Sequence, residues 1–206
     1  MLGKLYKTAL TLFTLLTLLT SCGLDQTLTV GVETGFKPFS YVEDQDEKGF
    51  EIELWEAAAK EAGIKYEFKP MGQGEMFGAL QRGEIDAALS GMTIKRDRKR
   101  DIDFTLPYYD TGLVILTTQD NQDIRSVKDL RDKSVVTKAG SSAYDYATKV
   151  KGIKEIRAFP DIEQAYEALV NEKVDVAIFD EANAKHYIKE QLSGKVKIVG
   201  NRLTNE

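Results

Sequence analysis

Leu28-Thr-Val-Gly-Val32 alternates apolar and small or polar positions, the period of a strand with one buried face. Phe50 to Ala62 changes to a helical period, with Ile52, Trp55, Ala59 and Ala62 on one stripe. A strand over 65–69, a helix over Glu75 to Arg82 and a strand over 86–89 follow. This βαβαβ series predicts a mainly parallel sheet covered by helices. The pattern then restarts, with strands predicted over 113–117, 134–137, 155–159, 175–179 and 196–199. Between them fall a helical turn from Ser126, a helix over 142–150, a helix after Asp161 and a helix over 181–191. Asp161 is the expected cap of the second of these helices, and Ile162, Ala165, Tyr166 and Leu169 its buried stripe.

Two series of this kind predict an α/β protein of two lobes, lobe one over 28–111 and lobe two over 112–206, changing over near Tyr109 to Gly112. A chain of 206 residues is long enough for two small cores. In open α/β sheets ligands bind beyond the carboxyl ends of strands, so those loops are where chemistry is expected.

The first residues follow a different logic. Lys4 and Lys7 precede an apolar run too short to span a bilayer, which ends in Leu19-Thr20-Ser21-Cys22. That ending resembles the bacterial lipobox. It implies a signal peptide over 1–21, lipid on Cys22, a tether over 22–27 and an extracytoplasmic protein anchored to the membrane.

Loss of Lys4 and Lys7 leaves 26 basic residues against 33 acidic ones, a net charge of −7. Such a balance disfavours nucleic acid, which needs clustered cations for phosphate contacts; the one local cluster is Lys95-Arg96-Asp97-Arg98-Lys99-Arg100. With Cys22 lipidated, no cysteine is left for a disulfide or a thiolate zinc site, and His186 is the sole histidine. Serine or cysteine catalysis is not expected, His186 reading as a surface residue of a helix, and no metal or cofactor is expected either.

Strand ends offer a distinctive inventory. Strand one runs into Glu33-Thr34-Gly35-Phe36, the third into Ser90-Gly91-Met92-Thr93 with Arg98 beyond. Lys138 leads to Gly140-Ser141-Ser142 at a helix start, and Phe179 leads to Asp180. A guanidinium, a carboxylate, a hydroxyl, a ring and free backbone amides fit a zwitterion. Its carboxylate takes Arg and amide donors, and its ammonium takes a carboxylate and neutral acceptors. Each residue also has a plainer reading: Arg98 as a solvated charge, Asp180 and Ser142 as parts of helix caps, and Phe36 and Phe39 as core.

Longer stretches are more specific. They are Gly-Phe-Lys-Pro-Phe (35–39), Gly-Phe-Glu-Ile-Glu-Leu-Trp (49–55), the block from Gly91 to Phe104, Tyr108-Tyr-Asp-Thr-Gly112 and Lys138-Ala-Gly-Ser-Ser142. On these the chain resembles the amino-acid class of type II periplasmic binding proteins, closest to the glutamine-binding proteins, from Leu28 to Val199. The resemblance implies that Arg98 and the Ser142 amide hold the ligand carboxylate. Asp180, the Gly91 carbonyl and the Thr93 hydroxyl hold its ammonium, Phe36 covers its stem, and Glu33 and Lys138 meet its distal group.

Glu33 stands where the glutamine binders have Asp, Gln73 where many members have a second aromatic, and Phe179 where the glutamine binder has His. Lys138 argues against a cationic ligand, leaving a polar or acidic amino acid, glutamine first. The resemblance implies no enzymatic activity, an ABC transporter permease as partner, a monomer and closure about a hinge. It also implies that the sequence to Glu206 lacks the family's C-terminal strand and helix that return to lobe one, leaving one linker to govern closure. Two alternatives use the same fold: a periplasmic cyclohexadienyl or prephenate dehydratase, and an amino-acid sensor domain.

Overall fold

A computed structural model describes residues 27–205. The expected signal peptide, Cys22 and most of the expected tether lie outside the described residues.

Strand β1 (Thr27–Glu33) is the middle of a three-stranded parallel sheet. It pairs along its full length with β5 (Lys65–Met71) and over Val30 to Val32 with β6 (Ala87–Leu89). Gly31 is small for a packing reason: a Cβ there would stand 2.7 Å from Ile85 Cδ1. Between β1 and β5 the chain makes a meander that the sequence reading missed: β2 (Gly35–Phe36), β3 (Ser40–Glu43) and β4 (Asp46–Lys48). These strands are too short to show a period, and they fold around local turns at 37–39 and 44–45.

Helix α1 (Phe50–Ala62) has the expected bounds and ends on Gly63 in the left-handed conformation. Its expected stripe is only partly right. Ile52 and Ala59 are buried and Trp55 is half-buried, but Ala62 is exposed, while Glu51 is 2% exposed. Helix α2 (Gln73–Gln81) packs Met76 and Ala79 against Ile85.

The second sheet has five strands in the order β11-β7-β10-β8-β9. β7 (Leu113–Thr118) is antiparallel to β10 (Val176–Asp180) and to β11 (Val196–Val199), whereas β10, β8 (Ser134–Lys138) and β9 (Glu155–Phe159) run parallel. Helices α3 (Ser142–Ala147), α4 (Ile162–Val170) and α5 (Glu181–Glu190) cover it. The stripe predicted for α4 is buried throughout. Asp161 sits at its N-cap position but makes no side-chain cap; its Oδ2 accepts from Gln164 Nε2 at 3.3 Å. Helix α3 stops at Ala147, short of the expected 150.

The architecture is the two-lobed α/β fold expected from the sequence. The segment through 109–112 carries the chain from one sheet to the other, and residues 202–204 return beside it. Leu203 N–H donates to the Leu113 carbonyl at 2.7 Å, and Leu113 N–H donates to Thr204 Oγ1 at 3.0 Å. Gly112 has no room for a side chain, since a Cβ would lie 1.9 Å from the Thr204 carbonyl oxygen. A second stretch of chain thus lies against the one covalent linker between the sheets.

Candidate ligand-binding cleft

The strand order places the carboxyl ends of β1, β6, β8 and β10 around one cleft between the sheets. A cavity of about 40 Å³ there is lined by six of the eight expected ligand residues, namely Phe36, Gly91, Thr93, Arg98, Ser142 and Asp180. Gln73, Thr111, Leu113, Ser141 and Phe179 complete its wall. A second cavity of about 210 Å³ shares Phe36, Gly91, Thr93, Thr111 and Asp180 with it and extends towards Tyr108 and Tyr109.

Each wall residue is held for a reason found in its own element. Gly91 adopts φ +53°, and a Cβ there would lie 2.2 Å from Phe36 Cε1, so a glycine lets the ring lie on the loop. Phe36 is buried, stacks on Phe39 and meets Phe179 edge-on from the other lobe. The same ring is core on one side and cavity wall on the other.

Arg98 opens a short 3₁₀ turn (Arg98–Arg100) behind Asp97, whose side chain accepts from the Arg98 N–H. Its guanidinium is half-buried and donates to the Thr93 carbonyl at 3.2 Å and to the Gly140 carbonyl at 3.3 Å. The plain reading of Arg98 as a free solvated charge therefore fails. The arginine spans the cleft, with donors directed at carbonyls of both lobes.

Asp180 is a helix cap, as its plainer reading had it, and it also lines the cavity. Its Oδ1 caps α5 by accepting from Asn183 N–H at 2.9 Å, and its Oδ2 accepts from Thr111 Oγ1 at 2.7 Å. Ser141, rather than Ser142, caps α3 by accepting from Tyr144 N–H, and Ser142 Oγ meets Thr93 Oγ1 across the cleft at 3.3 Å. At the rim Lys95 Nζ reaches Asp145 Oδ2 at 2.8 Å.

Glu33 and Lys138 are not brought to the cavity wall. They pair with each other across the lobes at 3.2 Å, with side chains 2% and 3% exposed. Glu33 Oε2 and the neighbouring Thr137 Oγ1 are buried with no hydrogen-bond partner. A buried pair of this kind is neutral as a unit, but either charge left alone there would be strongly disfavoured.

Glu51 is a site residue that the sequence reading quoted but did not single out. Its Oε1 accepts from Gly91 N–H at 2.8 Å and from the Tyr108 hydroxyl, so one carboxyl ties the Gly91 loop to the chain approaching the crossing. Burial pushes the Glu51 carboxyl above the usual carboxylate range, and burial together with Glu51 pushes the Tyr108 hydroxyl up. The signal was present in Gly-Phe-Glu-Ile-Glu: an acid at the start of an amphipathic helix on the apolar side of its stripe. His186 is half-buried, with its ring edge-on to Tyr187, rather than at the open surface expected of it. Among the described residues no group of three or more His, Cys, Asp or Glu side chains is placed to hold a metal ion.

Residues 28–190 match the family described as bacterial extracellular solute-binding proteins, family 3. The chain is 30% identical over 164 residues to a probable histidine-binding protein of Campylobacter jejuni, covering 80% of this chain and 64% of that protein's length. It is 31% identical over 184 residues to the arginine-binding extracellular protein ArtP of Bacillus subtilis, covering 83% of this chain and 71% of ArtP. Among solved structures, an ancestral arginine-binding protein bound to glutamine superposes with a TM-score of 0.81 at 37% identity, covering 87% of this chain and 80% of that one. The relatives named here are binding proteins.

Proposed function

The chain belongs to the bacterial extracellular solute-binding proteins, family 3, and from that premise we propose that its cleft captures a free polar amino acid, glutamine first, for delivery to an ABC permease. The observation that carries this reading is the convergence of Arg98, Asp180, Thr93, Gly91 and Phe36 on one cavity between the lobes. Arg98 supplies a forked donor for the α-carboxylate, with the Ser142 amide beside it. Asp180, the Thr93 hydroxyl and the Gly91 carbonyl supply acceptors for the α-ammonium. Phe36 covers the stem between them.

The Glu33–Lys138 pair sets the preference for the side chain. It is closed on itself, so a ligand with a neutral polar group leaves it intact, whereas an anionic or cationic group must compete with one partner for the other. A second reading, a guanidinium ligand, is favoured by one feature: Glu33 Oε2 is buried with no hydrogen-bond partner and could accept from it.

Binding to both lobes drives closure, because only the closed form makes both sets of contacts. Calorimetry across the twenty amino acids tests the reading: tight binding of glutamine supports it, and tight binding of arginine with none of glutamine replaces it with the second. Arg98→Ala is expected to weaken binding by about 2–5 kcal/mol, as for removing one partner of a buried charge pair. An unchanged dissociation constant in that variant would place the site elsewhere.

We also propose that Cys22 carries lipid and anchors the protein to the outer face of the membrane. Labelled palmitate fed to the host is expected on the wild type and absent from Cys22→Ala; label that survives the substitution overturns this part.

A further inference from the structure

We propose that Asn183 is a latch between the lobes, a positioning residue that stabilises the closed form and holds Asp180 in its binding orientation. The idea rests on the reading that the cleft closes over an amino acid, but its evidence is separate from the ligand cavity. Asn183 lies in the first turn of α5 and is 0% exposed. Its Nδ2 donates to the carbonyl of Lys37 at 2.5 Å, in the loop joining β2 to β3 of the other lobe. Its Oδ1 accepts from the Tyr166 hydroxyl at 2.9 Å, and its backbone N–H donates to Asp180 Oδ1.

The orientation of the amide follows from its partners. A backbone carbonyl can only accept, so the amide nitrogen must face Lys37, and the oxygen is left for the tyrosine hydroxyl. One residue therefore joins the buried face of α4, the cap of α5 and the lobe-one loop that carries Phe36. When the lobes part, the Lys37 bond must break while the other two can persist. The donor is satisfied in a dry environment only on closure, so this bond favours the closed form over the open one. It also connects lobe separation to the residue proposed to meet the ligand ammonium, because Asn183 N–H donates to Asp180, the cap of α5.

Asn183→Asp keeps the shape and the acceptor for Tyr166 but turns the group facing Lys37 into an acceptor. Asn183→Leu removes both side-chain bonds. The distance between dyes at Glu61 and Lys151, both exposed and on opposite lobes, reports closure in a Cys22→Ser background. Glutamine and arginine serve as probes. Both substitutions are expected to lower the closed fraction and to raise the dissociation rate of the bound probe by roughly three- to tenfold, the range of one net hydrogen bond, with Asn183→Asp the stronger. A purely structural role would instead lower the melting temperature of the ligand-free protein and leave the closed fraction and the dissociation rate unchanged. That result in both variants overturns the latch.

Should either variant fail to fold, Tyr166→Phe frees the amide while leaving Asn183 in place, and it is expected to shift closure in the same direction by less. No shift in Tyr166→Phe then counts against the latch. If neither probe binds the wild type, the proposed ligand class fails, and the closed fraction of the ligand-free protein still decides the latch.

Discussion

The sheet around β1 has three strands with Val30, Val32, Ile52, Ala59, Met76, Ala79 and Ile85 buried about it, while the sheet around β10 has five strands and every residue of β10 is buried. Phe36 and Phe39, from the first lobe's meander, belong to the core cluster that contains β7, β8 and β10. The two sides therefore support the cleft differently. Asp180 and Lys138 come from the ends of strands embedded in a large core. Gly91, Thr93 and Arg98 come from a loop held by side chains, chiefly Glu51 and Tyr108. The second lobe is a stiff platform, and the first is a lighter body whose shape depends on what it leans against.

Glu33→Gln gives the largest expected effect on this contrast. It leaves Lys138 charged and alone at 3% exposure, and it should destabilise the closed protein by about 3–5 kcal/mol, as breaking a buried pair does. Replacing both members with apolar residues of similar volume should recover most of that loss in denaturant unfolding. Recovery would show that the pair serves selectivity rather than stability.

Core truncation sharpens the contrast next. Ile178→Ala, in the middle strand of the large sheet, should cost about 2–5 kcal/mol, and Ile85→Ala should fall at the low end of that range because fewer neighbours are lost. Equal losses in urea titrations would remove the distinction between platform and lighter body.

The prop at Glu51 should show in pH dependence. Its folded pKa is raised by burial, so the fold favours the protonated acid. Below the ordinary value of 4.5 both folded and unfolded states hold the proton and the contribution is complete. As pH rises through the folded value the buried group must ionise, and stability falls. Glu51→Gln, which cannot ionise, should gain in melting temperature relative to wild type as pH rises above 4.5, and parallel curves would refute the assignment. Least affected should be Lys95→Ala: its bond to Asp145 joins the lobes at a solvated rim, and its loss should change affinity by about 0.2–1 kcal/mol, most visibly at low salt.

The sequence revealed most where burial writes a period. β1, α1, β9, the stripe of α4 and β11 stand within a residue or two of their expected places, because one buried face repeats every two or every three to four residues. The meander over 35–48 was missed, since strands of two to four residues carry no period and their turns are set by backbone pairing. Among the expected site residues, those at strand ends were legible as a chemical inventory, and Arg98 and Asp180 line one cavity. The self-pairing of Glu33 with Lys138, the support of Gly91 by Glu51 and the bridge made by Asn183 were not legible. Each joins residues far apart in the chain, and nothing local distinguishes them from a solvated charge or a cap.

The return of residues 202–204 to the crossing at Leu113 has a consequence for how the chain is made. Leu113 N–H finds its partner 91 residues later in the sequence. The strands of the second sheet all precede residues 202–204 in the chain, so they emerge before the stretch beside their entry point. The large sheet can therefore be assembled while the joint between the lobes is still incomplete. In order of manufacture, the platform precedes the pivot.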